Sequence, residues 1–147
     1  MKLTIKYNEL TAEEFIFLWQ AVHLGDGPTL EQTKLAMDHT LFRISIYDGK
    51  KIIAMARMIG DIGLDFYIKD VVVIPEYQGK GIGTEAIKFV TSYYKDWNQF
   101  TLITPMDKTE NIKFYTEKCG FKIVSTETDG NVKVVRFILE KEVYDAN

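Results

Sequence analysis

The sequence predicts an α+β domain on a central mixed, mostly antiparallel sheet of six to seven strands flanked by four helices. Three observations predict it. Apolar residues recur at period two near both ends of the chain, as in half-buried strands, and at helical spacing in between. One continuous apolar run, Val71-Val72-Val73-Ile74, leads through a glycine-rich turn into a helix. With 147 residues, 46% of them hydrophobic, the chain is long enough to bury one core, and no repeat or linker divides it, so residues 1–147 are expected to form a single domain.

The elements follow in order. Leu3, Ile5 and Tyr7 alternate, giving a strand from Lys2 to Tyr7. Thr11 and Glu14 form a capping box, after which Phe15, Leu18, Trp19 and Val22 share one helical face. Gly25, Gly27 and Pro28 end that helix; Thr29 and Gln32 repeat the cap for a second helix to about His39. Strands at 41–47 and 51–59 flank Asp48-Gly49 and should form a hairpin. A turn over Gly60 to Gly63 precedes a strand from Asp65 to Ile74, whose unbroken apolar end suggests burial on both faces. Ile82, Ala86, Phe89, Tyr93 and Trp97 then mark a helix, and Phe100 to Thr104 a strand parallel to the one before it. Asp107 and Glu110 are placed to cap a last helix with Ile112, Tyr115 and Cys119 on one face, stopped by Gly120-Phe121. Strands at 121–126 and 132–139 close the fold as a hairpin around Asp129-Gly130, and Tyr144 to Asn147 should fray.

Charge and cysteine content narrow the function. A net charge of -3 offers no positive field for nucleic acid or anionic membrane. The single cysteine, Cys119, excludes an intramolecular disulfide, and no cysteine and histidine cluster has metal-ligand spacing. No signal-peptide pattern or bilayer-length apolar run occurs, so a cytoplasmic protein is expected.

The turn Gln78-Gly79-Lys80-Gly81-Ile82-Gly83 is the main chemical signal. It brings backbone N–H groups and a helix N-terminus together where glycines leave room, with Lys80 adding a positive charge. Gly79 and Gly81 permit positive φ and close approach of a phosphate, and Gly83 permits close packing of helix on sheet. The same glycines also suit a tight connection that binds nothing. Two nucleotide folds are excluded: the turn lacks the spacing and Lys-Ser or Lys-Thr pair of a P-loop, and its glycines fall as GxGxG where a dinucleotide fold wants GxGxxG.

The stretch from Asp70 to Gly83, with Gln78, Gly81 and Gly83 at the key positions, resembles the acetyl-CoA signature of the GNAT superfamily of N-acetyltransferases. The segment Asn111 to Phe121, with its Phe114-Tyr115 pair and Gly120-Phe121 exit, is similar to that family's second motif. Motifs and element order together extend the resemblance over nearly the whole chain. It implies acetyl-CoA as co-substrate without a metal, and an amine acceptor on a small molecule or peptide. It implies that the amides of Gly79, Lys80, Gly81, Ile82, Gly83 and Thr84 bind the pyrophosphate. It further implies that the two parallel strands splay apart, the pantetheine arm pairing with Val73 in the gap and a backbone N–H near Val71 or Val72 facing the acetyl oxygen. Family members often dimerise, so a homodimer is a further expectation.

Tyr115 is then the candidate general acid for the leaving thiolate, with packing against Ile112 and Cys119 as its structural alternative. Asn111, four residues earlier on the same helical face, is placed to hydrogen-bond the pantetheine arm or to orient the acyl group, and Phe114 is a further candidate cofactor contact. Asp70 is the first candidate base, with an ion pair to Arg57 as the rival reading; Tyr67 and Lys69 do not suit that role at neutral pH, and His23 and His39 lie near helix ends, where solvated histidines are common. Cys119, at an apolar helix end, reads as an inert core thiol. Trp19, Phe15 and Phe66 are candidate walls of an acceptor pocket, and Asp26, Asp61 and Asp65 candidate attractors of an amine, with core packing and turn formation as their alternatives. A non-catalytic acyl-CoA sensor and a ligand-free structural domain are the competing functions, and the acceptor is not named by the sequence.

Overall fold

A computed structural model describes residues 2–22, 25–61, 65–93 and 99–140. The chain runs β1 (Leu3–Tyr7), α1 (Ala12–Ala21), α2 (Leu30–His39), β2 (Phe42–Asp48), β3 (Lys51–Gly60) and β4 (Phe66–Val73). It continues through a short 3-10 turn (Pro75–Tyr77) to α3 (Ile82–Tyr93), β5 (Gln99–Pro105), α4 (Thr109–Lys113) with a π-helical turn (Phe114–Lys118), β6 (Lys122–Asp129) and β7 (Val132–Glu140). His23, Gly63, Trp97 and the segment Tyr144 to Asn147 lie outside the described residues. The strands form one seven-stranded sheet in the order β1-β2-β3-β4-β5-β7-β6, antiparallel except for β4 with β5. The fold class read from the sequence is the one observed. No helix among the described residues is long and apolar enough to cross a membrane.

Local chemistry accounts for most of the boundaries. Both capping boxes form: Thr11 with Glu14, and Thr29 with Gln32, each satisfying N–H groups at a helix start. The two hairpins close with two-residue turns that begin at Gly49 and Gly130, both near φ 62°. The third expected cap is absent. Lys108 occupies the N-cap of α4 without a side-chain bond, so Asp107 and Glu110 do not form a box. The C-terminal stop does form: Gly120 has φ 78°, and the Phe121 N–H reaches the Tyr115 carbonyl at 2.9 Å.

Register shows which face each strand presents. Phe42, Ile44 and Ile46 on β2 lie opposite Met58, Ala56 and Ala54 on β3, all buried, and Phe42 stacks on Phe89 and Tyr93 of α3. The opposite face carries Ser45, Met55 and Arg57 toward α1, whose Phe15 lies under the Arg57 guanidinium. Between β3 and β4 the partners step from Arg57↔Lys69 to Met55↔Val72, two residues against three, so β4 carries one extra residue. That residue is Asp70, at φ 54°. The bulge exchanges faces: Ile68 lies with Met58 on the α3 side, Val72 with Met55 on the α1 side. Burial on both faces, expected for Val71 to Ile74, is not found. Val72 and Ile74 are buried but Val71 and Val73 only partly, because one flank of this strand end has no neighbour.

Candidate active site

The glycine-rich turn is open. Gly79 and Gly81 have φ of 79° and 82°, a conformation that L side chains rarely adopt, and a Cβ at either would meet nothing within 4 Å. The first bond of α3 runs from Glu85 N–H to the Gly81 carbonyl, so the N–H groups of Ile82, Gly83 and Thr84 have no intrahelical acceptor. Exposed Gln78, Gly79, Lys80 and Gly81 precede buried Ile82. Gly83 is needed for a different reason from the one expected: a Cβ there would stand 3.0 Å from the Phe114 ring, so it admits the last helix, not the sheet. The turn is also braced. Tyr77 donates its hydroxyl to Asp48 Oδ2 at 2.5 Å, and Gln78 donates from Nε2 to the Val73 carbonyl at 2.8 Å. The Tyr77 bond holds the Asp48 carboxyl below its usual range. Lys80 and Lys51 each place an ammonium over the Tyr77 ring, at 5.5 and 5.7 Å from its centre. Sequence reasoning misses the Tyr77–Asp48 tie. Only the hairpin register could have signalled it, since the partners lie 29 residues apart.

Beside the turn the sheet is parted. The Ile74 N–H bonds the Ile53 carbonyl at 3.0 Å, so Ala54 and Val73 are the non-hydrogen-bonded kind of pair. Both main-chain groups of Val73 therefore point away from β3, toward β5. Alternation sends those of Val71 the same way and those of Val72 toward β3. Yet among the described residues β5 pairs with β4 only at Tyr67↔Thr101. The strands diverge beyond it, leaving a gap flanked by the Val71 and Val73 backbone.

Tyr115, on the π-helical turn that follows α4, is 8% exposed, its ring set edgewise or tilted against Phe114, Phe121 and Phe137. Burial pushes its phenol well above the ordinary range, with Cys119 and Asp70 adding to the shift. No hydrogen bond engages the hydroxyl among the described residues, and it is not one of their sealed polar atoms. The π-helical turn takes the ring inward while Asn111, one turn earlier, stays exposed, so the two do not share a surface. Burial pushes the Cys119 thiol up to about 12, which leaves no thiolate at neutral pH. Among the described residues no group of three metal-ligating side chains comes together.

On the α1 side, Asp70 accepts from Arg57 Nε at 2.5 Å, both side chains being largely enclosed. Arg57 also donates from Nη1 to Thr40 Oγ1 at 3.1 Å and covers Phe15, which stacks on Trp19. Phe66 does not join them: it packs against Phe100 on the α3 side, because the β4 residues before the bulge alternate the other way. Lys69 lies over the Tyr67 ring. Asp61 and Asp65 bond across their own turn, and the Asp26 carbonyl accepts from Gln20. Exposed His39 bonds the Leu35 carbonyl at its helix end.

A mixed sheet whose one parallel pair parts beside an open, glycine-rich helix entrance is the architecture of an acetyltransferase. The chain belongs to the acetyltransferase (GNAT) family, whose sequence model matches residues 6–121. Its fold superposes on a GNAT family acetyltransferase, SP0256 of Streptococcus pneumoniae TIGR4, with a TM-score of 0.71 and 30% identity over 83% of this chain and 89% of that one. An uncharacterized N-acetyltransferase, ycf52 of Pyropia yezoensis, is 27% identical over 82% of this chain and 73% of its own length. An uncharacterized protein of Bacillus subtilis, YrkN, is 44% identical over 52 residues, which are 35% of this chain and only 28% of that protein.

Proposed function

We propose that this acetyltransferase moves an acetyl group from acetyl-CoA to a primary amine of a small molecule or peptide, by direct attack with donor and acceptor bound together. The observation that carries the reading is the open amide cradle from Gly79 to Thr84 beside the parted ends of β4 and β5. Coenzyme A supplies a thioester whose carbonyl is the electrophile and whose sulfur leaves. The cradle amides and Lys80 would hold its diphosphate. The Val73 N–H faces the gap and suits the pantetheine arm; the Val73 carbonyl is shared with Gln78. Phe114, whose ring packs at Gly83, and Asn111 on the same helix would contact the coenzyme. Of the two N–H groups expected to face the acetyl oxygen, the Val71 group points into the gap and fits the role, while that of Val72 is turned toward Met55.

Tyr115 gives a hydrogen bond to the leaving sulfur, and the released thiolate takes its proton from solvent. The high pKa of the phenol keeps it protonated at working pH and suits a hydrogen bond that stabilises developing charge. The proton of the incoming ammonium we assign to water, since the Asp70 carboxylate is neutralised by its ion pair with Arg57.

Thiol release from acetyl-CoA, measured over a panel of amines, polyamines, amino acids and short peptides, tests the reading. Turnover with at least one amine is expected. A chain that binds coenzyme A calorimetrically yet acetylates none is a sensor, and one that binds none has neither role.

A further inference from the structure

Asp70 is one of two described residues other than glycine with positive φ; the other, Asn8, sits at the end of β1. A left-handed backbone inside a strand is strained for a residue with a Cβ, so neighbouring contacts must hold it. The contacts are specific. Arg57 stands across from Lys69, at the last regular pair before the bulge, and its Nε grips Asp70 Oδ2 at 2.5 Å with side-chain exposures of 15% and 12%. Its Nη1 bonds Thr40, the C-cap of α2, and its flat face lies over Phe15 of α1. One guanidinium thus joins both helices to the irregularity that opens β4.

We propose that Arg57 is a positioning residue for acyl transfer: by holding the Asp70 carboxylate it fixes the left-handed bulge, and so aims the Val71 main chain into the gap. The inference rests on the acetyl-transfer reading above and adds to it a residue remote from coenzyme and thiol. Without the clamp, Asp70 can relax toward regular extended backbone. Restoring an ordinary register would turn the Val71 N–H toward β3, because alternation reverses with each residue removed from a bulge. Donor geometry at the carbonyl would suffer while the diphosphate cradle, on a separate turn, would not.

The test uses the full chain and an amine found to be turned over. Arg57→Gln should lower kcat about tenfold with the KM for acetyl-CoA changed less than about twofold. Arg57→Lys, which can pair with Asp70 but lacks the fork that also reaches Thr40, should recover part of the loss. The decisive variant is Arg57→Gln combined with Asp70→Gly: glycine takes positive φ without strain, so the double variant should turn over faster than Arg57→Gln alone. A double variant as slow as Arg57→Gln, or slower, overturns the proposal and points to the Asp70 carboxylate itself as the working group. A loss confined to KM, or an Arg57→Gln enzyme at full speed, overturns it as well. Should Arg57→Gln fail to fold, Arg57→Lys takes its place: Arg57→Lys with Asp70→Gly should turn over faster than Arg57→Lys alone, and an equal or slower rate overturns the proposal. Failure of the wild-type chain to acetylate any amine sinks the acetyl-transfer reading instead, so the two failures are distinguishable.

Discussion

The Tyr115 phenol is ringed by Phe114, Phe121 and Phe137, and this enclosure holds its pKa above the ordinary value near 10, so at neutral pH it can give a hydrogen bond but cannot act as a base. Tyr115→Phe should therefore lower kcat about 100-fold while leaving coenzyme A affinity within about twofold, as steady-state kinetics and calorimetry will show. The same shift affects stability. Below about pH 10 the phenol is protonated in both the folded and unfolded chain and its contribution is constant; as pH rises further, only the unfolded chain loses the proton, so stability falls. Urea midpoints should decline more steeply above about pH 10 in wild type than in Tyr115→Phe, and parallel curves would contradict the assignment. Cys119, with its thiol near 12, should react slowly with an aromatic disulfide, and Cys119→Ala should keep wild-type turnover. The sequence motif picks out Tyr115, but not the π-helical turn that separates it from exposed Asn111. A one-residue change in helical hydrogen bonding leaves no mark on apolar periodicity.

The coenzyme cradle, as an element, depends on a neighbour distant in sequence. Tyr77 ties the turn to the β2–β3 hairpin through Asp48 and carries Lys51 and Lys80 over its ring. Tyr77→Phe keeps the ring and loses the tie; it should raise the KM for acetyl-CoA about threefold to tenfold with kcat unchanged, consistent with one ordinary hydrogen bond at a solvent-screened site. Gly81→Ala should be worse, because positive φ is disfavoured by about 1 kcal/mol for a side chain even in open space, and the cradle amides depend on it. A Gly81→Ala enzyme with wild-type KM would show that the amides are not the binding surface. Both helix caps with Thr-x-x-Glu or Thr-x-x-Gln spacing are legible in the sequence, because that signal is local. The Asp107-x-x-Glu110 pattern misleads: the N-cap falls one residue late, at Lys108, and the spacing no longer meets the helix start. Phe66 misleads for a longer-range reason. Its residue type suits an acceptor wall, but the bulge at Asp70, further along β4, reverses the alternation and leaves Phe66 on the opposite face, against Phe100.

At the scale of the whole molecule, the sheet divides its labour by face and by strand end: α3 and the last helix cover one face, α1 and α2 part of the other, and the single parallel pair parts where its strands would otherwise zip. The parallel pair follows from the hydrophobic runs and the right-handed crossover rule. The gap itself does not, since an apolar run reads alike whether its second flank is protein or ligand, which is why the sequence predicts burial of Val71 and Val73 on both sides. A ligand that fills cradle and gap binds only the folded chain, so coenzyme A at about 100 times its Kd should stabilise the protein by about 2.7 kcal/mol and raise Tm by about 5–11 °C in a thermal melt. The most direct measurement is a crystal structure of the chain with coenzyme A. The account predicts the diphosphate on the amides of Gly79 to Thr84 and the arm lying between β4 and β5 with its sulfur toward Tyr115; a coenzyme bound elsewhere, or strands closed on each other with the cradle empty at saturating ligand, would contradict it.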